Sequence, residues 1–138
     1  MDIQIATLCD HAADYNGKMV VSGTIDVLAA PQLPIVQPQC CLAIRLCITP
    51  DDNGPHKFSV NIIDGDSKSL DDKMPIDADM PIEIPEDVPF VTRNLILNLQ
   101  GLRFHEAGVY FVDISIDNEL VQRLPLRVVQ VDQQKQAS

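Results

Sequence analysis

The chain has 138 residues, 46% hydrophobic and 22% charged, which suits one folded domain over residues 1–131 and excludes a disordered composition. Its net charge of −10, with ten Lys and Arg scattered along the length, argues against a phosphate-neutralising surface, so neither nucleic acid nor an anionic membrane is an expected partner. No apolar run approaches the ~20 residues of a membrane helix, and the opening MDIQIATLCDHA lacks the cationic leader of a signal peptide, so a cytoplasmic protein is expected.

In chain order the strand signals begin with Ile3 and Ile5 alternating with Asp2 and Gln4, in a run that fades at Asp10. Asn16-Gly17 is a two-residue hairpin signal leading into a strand over 18–28, rich in Val, Thr and Ile. Residues 29–38 carry three prolines and are expected to cross between elements as a loop. From Cys40 the alternation is clean: Cys40, Leu42, Ile44, Leu46 and Ile48 face one way, and Cys41, Ala43, Arg45, Cys47 and Thr49 the other. After a turn at Asn53-Gly54, Phe58, Val60 and Ile62 form the next inward set, closed by Asp64-Gly65-Asp66-Ser67.

Residues 64–87 then hold nine acids against Lys68 and Lys73, so this stretch carries −7 of the chain's −10 and is spaced by Pro75, Pro81 and Pro85. Its expected role is a solvated connection that keeps a sheet edge from pairing with neighbours, with Met80-Pro81-Ile82-Glu83-Ile84 as a short edge strand. Leu95, Leu97 and Leu99 resume an inward face, and Gly101 is expected to bend or bulge that strand. Tyr110, Val112, Ile114 and Ile116 form another inward set. Asp117-Asn118 turns the chain, and 119–131 closes it with Pro125 at an edge or bulge. Turn signals at roughly ten-residue spacing predict an all-β, two-sheet antiparallel sandwich of seven to nine strands, immunoglobulin-like or a similar Greek key. With aromatics at 4% and no Trp, its core must be aliphatic, and the polar tail over 132–138 is expected to fray.

Candidate chemistry is sparse. The four cysteines, Cys9, Cys40, Cys41 and Cys47, read as reduced packing thiols, since no export signal is visible. Cys40 and Cys41 point to opposite faces and Cys41 and Cys47 lie about 20 Å apart along the strand, so no metal is expected there. Asp51-Asp52 and Asp64-Gly65-Asp66 are the acidic loop ends that a calcium or small-molecule site would use, but such residues are also plain turn formers. Cys9 and His11 are the one close Cys–His pair, and side chains at i and i+2 of a strand diverge to about 6–7 Å, too far for a nucleophile and its base. His56 and His105 sit beside turns.

The segment Asn94 to Phe104 is the most informative surface. Asn98 and Gln100 stand opposite the inward leucines, and Arg103 follows Gly101. Asn is a poor strand residue, so a recognition face or a polar network would give it a reason, beside the plain alternative of a wet sheet face.

Ala6-Thr-Leu-Cys-Asp10, Gly23-Thr-Ile-Asp26, Pro38-Gln-Cys40, Asn94 to Phe104 and Arg123-Leu-Pro-Leu-Arg127 together make the chain, from Ile3 to about Val129, resemble a bacterial family of small uncharacterised proteins. The resemblance implies a β-sandwich and brings no activity and no catalytic residue with it. The expectation is therefore a non-catalytic binding domain, without cofactor or metal, acting on another protein or a copy of itself through Asn98, Gln100 and Arg103. An ion- or small-molecule-binding module and an enzyme using Cys9 or that same face are the alternatives.

Overall fold

The computed structural model describes residues 1–132. Its elements are β1 (Asp2–Tyr15), β2 (Lys18–Thr24), β3 (Val27–Ala30), β4 (Ile35–Ile48), a 3-10 turn at Pro50–Asp52, β5 (Lys57–Ile63), β6 (Ile76–Asp79), β7 (Val91–Phe104), β8 (Gly108–Ile116) and β9 (Glu119–Gln130). They form two sheets, one in the order β2-β1-β4-β7 and the other in the order β3-β9-β8-β5-β6. The expected tail lies, beyond residue 132, outside the described residues.

Alternation drives the assembly. Cys40, Leu42, Ile44, Leu46 and Ile48 of β4 are all buried, and they share one core with Phe58, Val60 and Ile62 of β5, Tyr110, Val112, Ile114 and Ile116 of β8, and Leu126 and Val128 of β9. One face of each sheet thus supplies the apolar surface removed from water, at roughly 25 cal/mol per Å². Among the described residues no polar or charged side chain is buried there.

Turn chemistry fixes the register. Asn16 and Gly17 both have positive φ (53° and 82°), as do Asp117 and Asn118 (54° and 67°), the backbone that two-residue hairpin turns require. Pro125 stands where β9 has β8 on one side and no partner on the other, because β3 pairs only with Arg127 to Gln130. Its missing N–H therefore breaks no ladder bond.

The structure corrects several expectations. The second sheet is mixed, not antiparallel, because β3 lies parallel to β9 from Val27↔Arg127 to Ala30↔Gln130. The expected strand over 18–28 is two strands in different sheets, separated at Ile25-Asp26. The expected loop over 29–38 shrinks to four residues, since β4 already begins at Ile35 and carries Pro38 within it. Gly101 bends β7 without a bulge: with φ of +63° it leaves the β4–β7 register intact while the buried positions step from Leu99 to Leu102. Met80-Pro81-Ile82-Glu83-Ile84 is not a strand. Met80, Ile82 and Ile84 are buried as the alternation implied, but Gly54↔Ile82 is an isolated bridge, and the amides of Met80 and Ile84 go to the His56 carbonyl and the Asn53 side chain, so no ladder forms and the edge strand is β6. Pro81 and Pro85 remove the donors a ladder would need.

The β1–β2 hairpin folds back over the outer face of its own sheet. Ile5 pairs with Arg45, and Gly17, twelve residues on, would stand roughly 40 Å away along a straight strand. Instead the Arg45 guanidinium donates to the Gly17 carbonyl at 2.9 Å. A second, smaller cluster fills the space beneath: Cys9, Ala12, Cys41 and Ala43, with Met19, Val21 and Ile96 packed against them. The face of β4 opposite the main core is therefore dry at Cys41 and Ala43.

Candidate functional site

The two sheets end side by side in the strands β7 and β6, each the outermost of its sheet. Between them runs an open groove of about 280 Å³, lined by Phe58, Ile76 and Ala78 on one side and by 94–97 of β7 on the other. Leu95 and Leu97 point inward as the alternation implied, yet they are only partly buried, because their far sides face this groove. The connection after β6 covers only the start of β7, where Arg93 donates to the Pro81 carbonyl at 3.3 Å. Past that point β7 is hydrogen-bonded along one side alone, to β4.

Asn98, Gln100 and Arg103 are all exposed along β7. Asn98 has a structural reason to be there: its side-chain oxygen accepts from the Cys41 thiol at 3.1 Å. Gln100 lies opposite Gln39 and Arg103 opposite Val36, and among the described residues neither side chain has a hydrogen bond or ion pair. All three thus lie along one edge strand, and Asn98 is already spoken for.

A polar network that the sequence reading missed holds the hairpin down. Arg45 donates to Asn94 Oδ1 at 2.6 Å and to Thr92 Oγ1 at 2.9 Å, and Asn94 Nδ2 donates to Asp14 Oδ2 at 3.0 Å. Its signal was an arginine alternating with Cys and Ala on an otherwise apolar strand. The function of this network is to anchor the hairpin tip, and it uses up the polar groups at the start of the β7 edge.

The acidic loop ends are committed to turns. Asp52 accepts from the Thr49 amide at 2.9 Å and from the N-terminal ammonium at 3.1 Å, while Asp64 accepts from the amides of Asp66 and Lys68 at 2.8 and 3.0 Å. Asp64, Asp66, His105 and Glu106 border an open polar hollow of about 300 Å³ with Tyr110. Among the described residues no three His, Cys, Asp or Glu side chains are grouped to hold a metal ion.

His56 is held at both ring nitrogens. Nδ1 faces Asp117 Oδ2 at 2.6 Å and Nε2 faces the Asp52 carbonyl at 2.5 Å. Both partners only accept, so the ring satisfies both only as the imidazolium. The bond to Asp117, followed by that to Asp52, accordingly raises the pKa of His56 above the ordinary histidine range. A raised folded pKa gives stability that is full below the unfolded value of about 6.5 and is lost as pH rises through the folded value. The Asp117 carboxyl is lowered by the Lys57 amide and then by His56, so its contribution is lost at the acid end instead. We expect the thermal midpoint difference between the native protein and His56→Gln to shrink as pH climbs from 6 to 9. A difference that stays flat over that range would show that His56 remains neutral in the fold.

The thiols are shielded. Burial pushes Cys40 up to about 11, and burial followed by the neighbouring Cys41 raises Cys9. Cys9 donates to the Cys41 carbonyl at 3.6 Å, and the His11 backbone bonds to its sulfur, but the ring of His11 is exposed and not paired with it. Thiolate is the reactive form, so these groups react slowly. Alkylation of the native protein should therefore modify the half-buried Cys47 first, with Cys9, Cys40 and Cys41 following only on unfolding. Equal rates at all four sites, read by peptide mass spectrometry, would contradict the burial described.

A model of a family of unknown function, DUF6941, matches residues 4–129. No curated protein and no solved structure matches the chain.

Proposed function

The chain belongs to that family of unknown function, and we propose that it is a non-catalytic, cytoplasmic protein-binding domain that recognises its partner along the free edge of β7. We also infer that its two sheets form an immunoglobulin-like β-sandwich. The order β1-β4-β7 against β9-β8-β5-β6 corresponds to strands A-B-E against G-F-C-C′ of such domains, with β3 running parallel to the last strand as the split first strand does. Tyr110, early in β8, donates from its hydroxyl to the Glu106 carbonyl at 2.8 Å, the tie at the E–F corner that many such domains carry. On this correspondence β2 is an addition and strand D is replaced by the irregular connection after β6.

One observation carries the functional reading. The replacement of strand D leaves β7 from Leu95 to Phe104 without a neighbour, and an unpaired edge of that length is a template for another strand unless something covers or blunts it. Gln100 and Arg103 on the same strand have free hydrogen-bonding capacity, and Arg is favoured at contact surfaces for its planar fork and apolar stem. The groups best suited to chemistry are occupied elsewhere: Cys9 and Cys40 by burial, His56 by its two acceptors, and Asp52 and Asp64 by turn amides. That favours binding over catalysis.

The test compares native protein with Gln100→Ala/Arg103→Ala in affinity capture from the native host, beside thermal unfolding of both. The expected result is loss of specific bound proteins, with stability changed by less than about 1 kcal/mol, as for exposed residues. Capture of the same proteins by both forms would remove this strand from the interface. A large stability loss would instead make Arg103 a structural residue.

A further inference from the structure

We propose that Cys9 and Cys41 form a redox site: a peroxide closes them into an intramolecular disulfide beneath the β1–β2 hairpin, and a thiol reductant reopens it. The pair would stand as such a site whether or not β7 is a binding edge. Its basis is register. Cys9 faces Cys41 directly across the antiparallel strands β1 and β4, and both belong to the small cluster on the outer face of that sheet. Facing residues of an antiparallel ladder have Cα atoms about 4.5–5.5 Å apart, within the span of about 4.4–6.8 Å that a disulfide bridges. Neither remaining thiol has such a neighbour. Cys40 turns to the main core opposite Leu99, and Cys47 lies opposite Asp2, roughly 20 Å along β4 from Cys41.

The place of the pair in the chain matters as much as its spacing. Cys9 is the last residue of β1 that pairs with β4, and from there to Tyr15 β1 pairs with β2 alone. The bond therefore pins the root of the hairpin, at the point where it parts from β4. Closing it sacrifices little. Cys9 gives up the Cys41 carbonyl at 3.6 Å and Cys41 gives up Asn98 Oδ1 at 3.1 Å, and a thiol is a weak donor in both. The chemistry needs only the peroxide. One sulfur, as thiolate, attacks the O–O bond and becomes a sulfenic acid, and the departing hydroxide takes up the thiol proton as water. The facing thiol then displaces a second water from the sulfenic acid as the S–S bond forms. Two thiols lose two electrons and two protons, and one hydrogen peroxide becomes two waters. Burial slows the first step, so access comes from local opening of the hairpin. Once that step has occurred, the facing thiol is near enough to intercept the sulfenic acid before further oxidation.

The experiment treats the full chain with hydrogen peroxide at neutral pH without denaturant, quenches in acid, blocks the remaining thiols after unfolding and reads unreduced peptides by mass spectrometry. The expected product is a monomer with Cys9 linked to Cys41 and Cys40 still alkylatable, and dithiothreitol should remove the link. Because Cys40 adjoins Cys41, two variants assign the bond: it should persist in Cys40→Ala and be absent from Cys41→Ala. The linked chain should melt about 5 °C or more above the reduced one, since closing a long loop constrains the unfolded chain. Gly23→Ala should speed linking by about fivefold or more, because it loosens the hairpin. Sulfinic acid at Cys9 or Cys41 without a link would mean that the thiols are too far apart, and the proposal falls. It falls equally if both are recovered as free thiols once Cys47 is fully oxidised, if the link forms only in denaturant, or if Cys9 joins Cys40 as readily. A lowered melting midpoint would mean that the bond strains the ladder, and the pair would not be a fitted site. An unchanged rate in Gly23→Ala would overturn access through the hairpin.

Discussion

Phe104→Ala should cost about 3–5 kcal/mol of folding stability, the range for removing a fully buried aromatic ring. Phe104 has no exposed surface and is the largest side chain so enclosed. Its ring meets that of Tyr110 edge to face, centroids 5.0 Å apart at 84°, a favoured aromatic geometry. With aromatics at 4% of the chain and no Trp, neighbouring aliphatic residues cannot refill the space at once. The pair also sits where the chain passes from one sheet to the other, since β7 ends at Phe104 and β8 begins at Gly108. The hydroxyl of Tyr110 ties that passage to Glu106, so Tyr110→Phe should cost about 1–2 kcal/mol on its own. Because Tyr110→Phe keeps its ring, the edge-to-face contact is lost only to Phe104→Ala, and the double variant should cost close to the sum of the two. Urea unfolding of the three variants measures all of this. A loss under about 1 kcal/mol for Phe104→Ala would mean that the corner collapses without consequence and that the core is sealed elsewhere.

Much of this architecture could be read from the sequence, because two rules reach through from residue to fold. The period of two placed Cys40 to Ile48 in the core without ambiguity, and it survives at Met80, Ile82 and Ile84 even where no strand forms. Positive-φ turn residues located Asn16-Gly17 and Asp117-Asn118. What remained hidden depends on pairings distant in sequence. Nothing local in Val27 to Ala30 announces that it will lie parallel to the end of the chain. The exposure of β7 is likewise a property of sheet order, and no composition of β7 itself reveals that its far side has no neighbour. Asn98 shows the limit from the other direction. Its polarity marked it correctly as an outer residue, but its reason is the thiol of Cys41, which belongs to another strand. The groove came within reach only once Ile76 and Ala78 stood opposite Leu95 and Leu97.

The second large effect is expected at Gly23, the left-handed residue of β2 that stands against Asp10 of β1. Gly23 has φ of +70°, where a side chain costs roughly 1–2 kcal/mol, and a Cβ built there would lie 2.4 Å from an Asp10 carboxylate oxygen and 3.2 Å from Asp10 Cβ. In sequence 18–28 is rich in Val, Thr and Ile, which is why it read as one element. Gly23→Ala should cost about 2–4 kcal/mol in total, the backbone strain and the crowding together. Asp10→Gly/Gly23→Ala separates them: relative to Asp10→Gly alone, the cost of Gly23→Ala should fall to the backbone portion of about 1–2 kcal/mol. The location of the damage is as informative as its size. Lifting the hairpin uncovers the small cluster and not the main core, so Gly23→Ala should speed alkylation of Cys9 and Cys41 while Cys40, on the opposite face of β4, stays protected. Parallel acceleration at all three thiols would mean that Gly23 supports the whole fold and that the hairpin is no separate layer. Selective opening would identify the hairpin as a cover over β4 that can loosen while both sheets, and the free edge of β7 from Leu95 onward, remain folded.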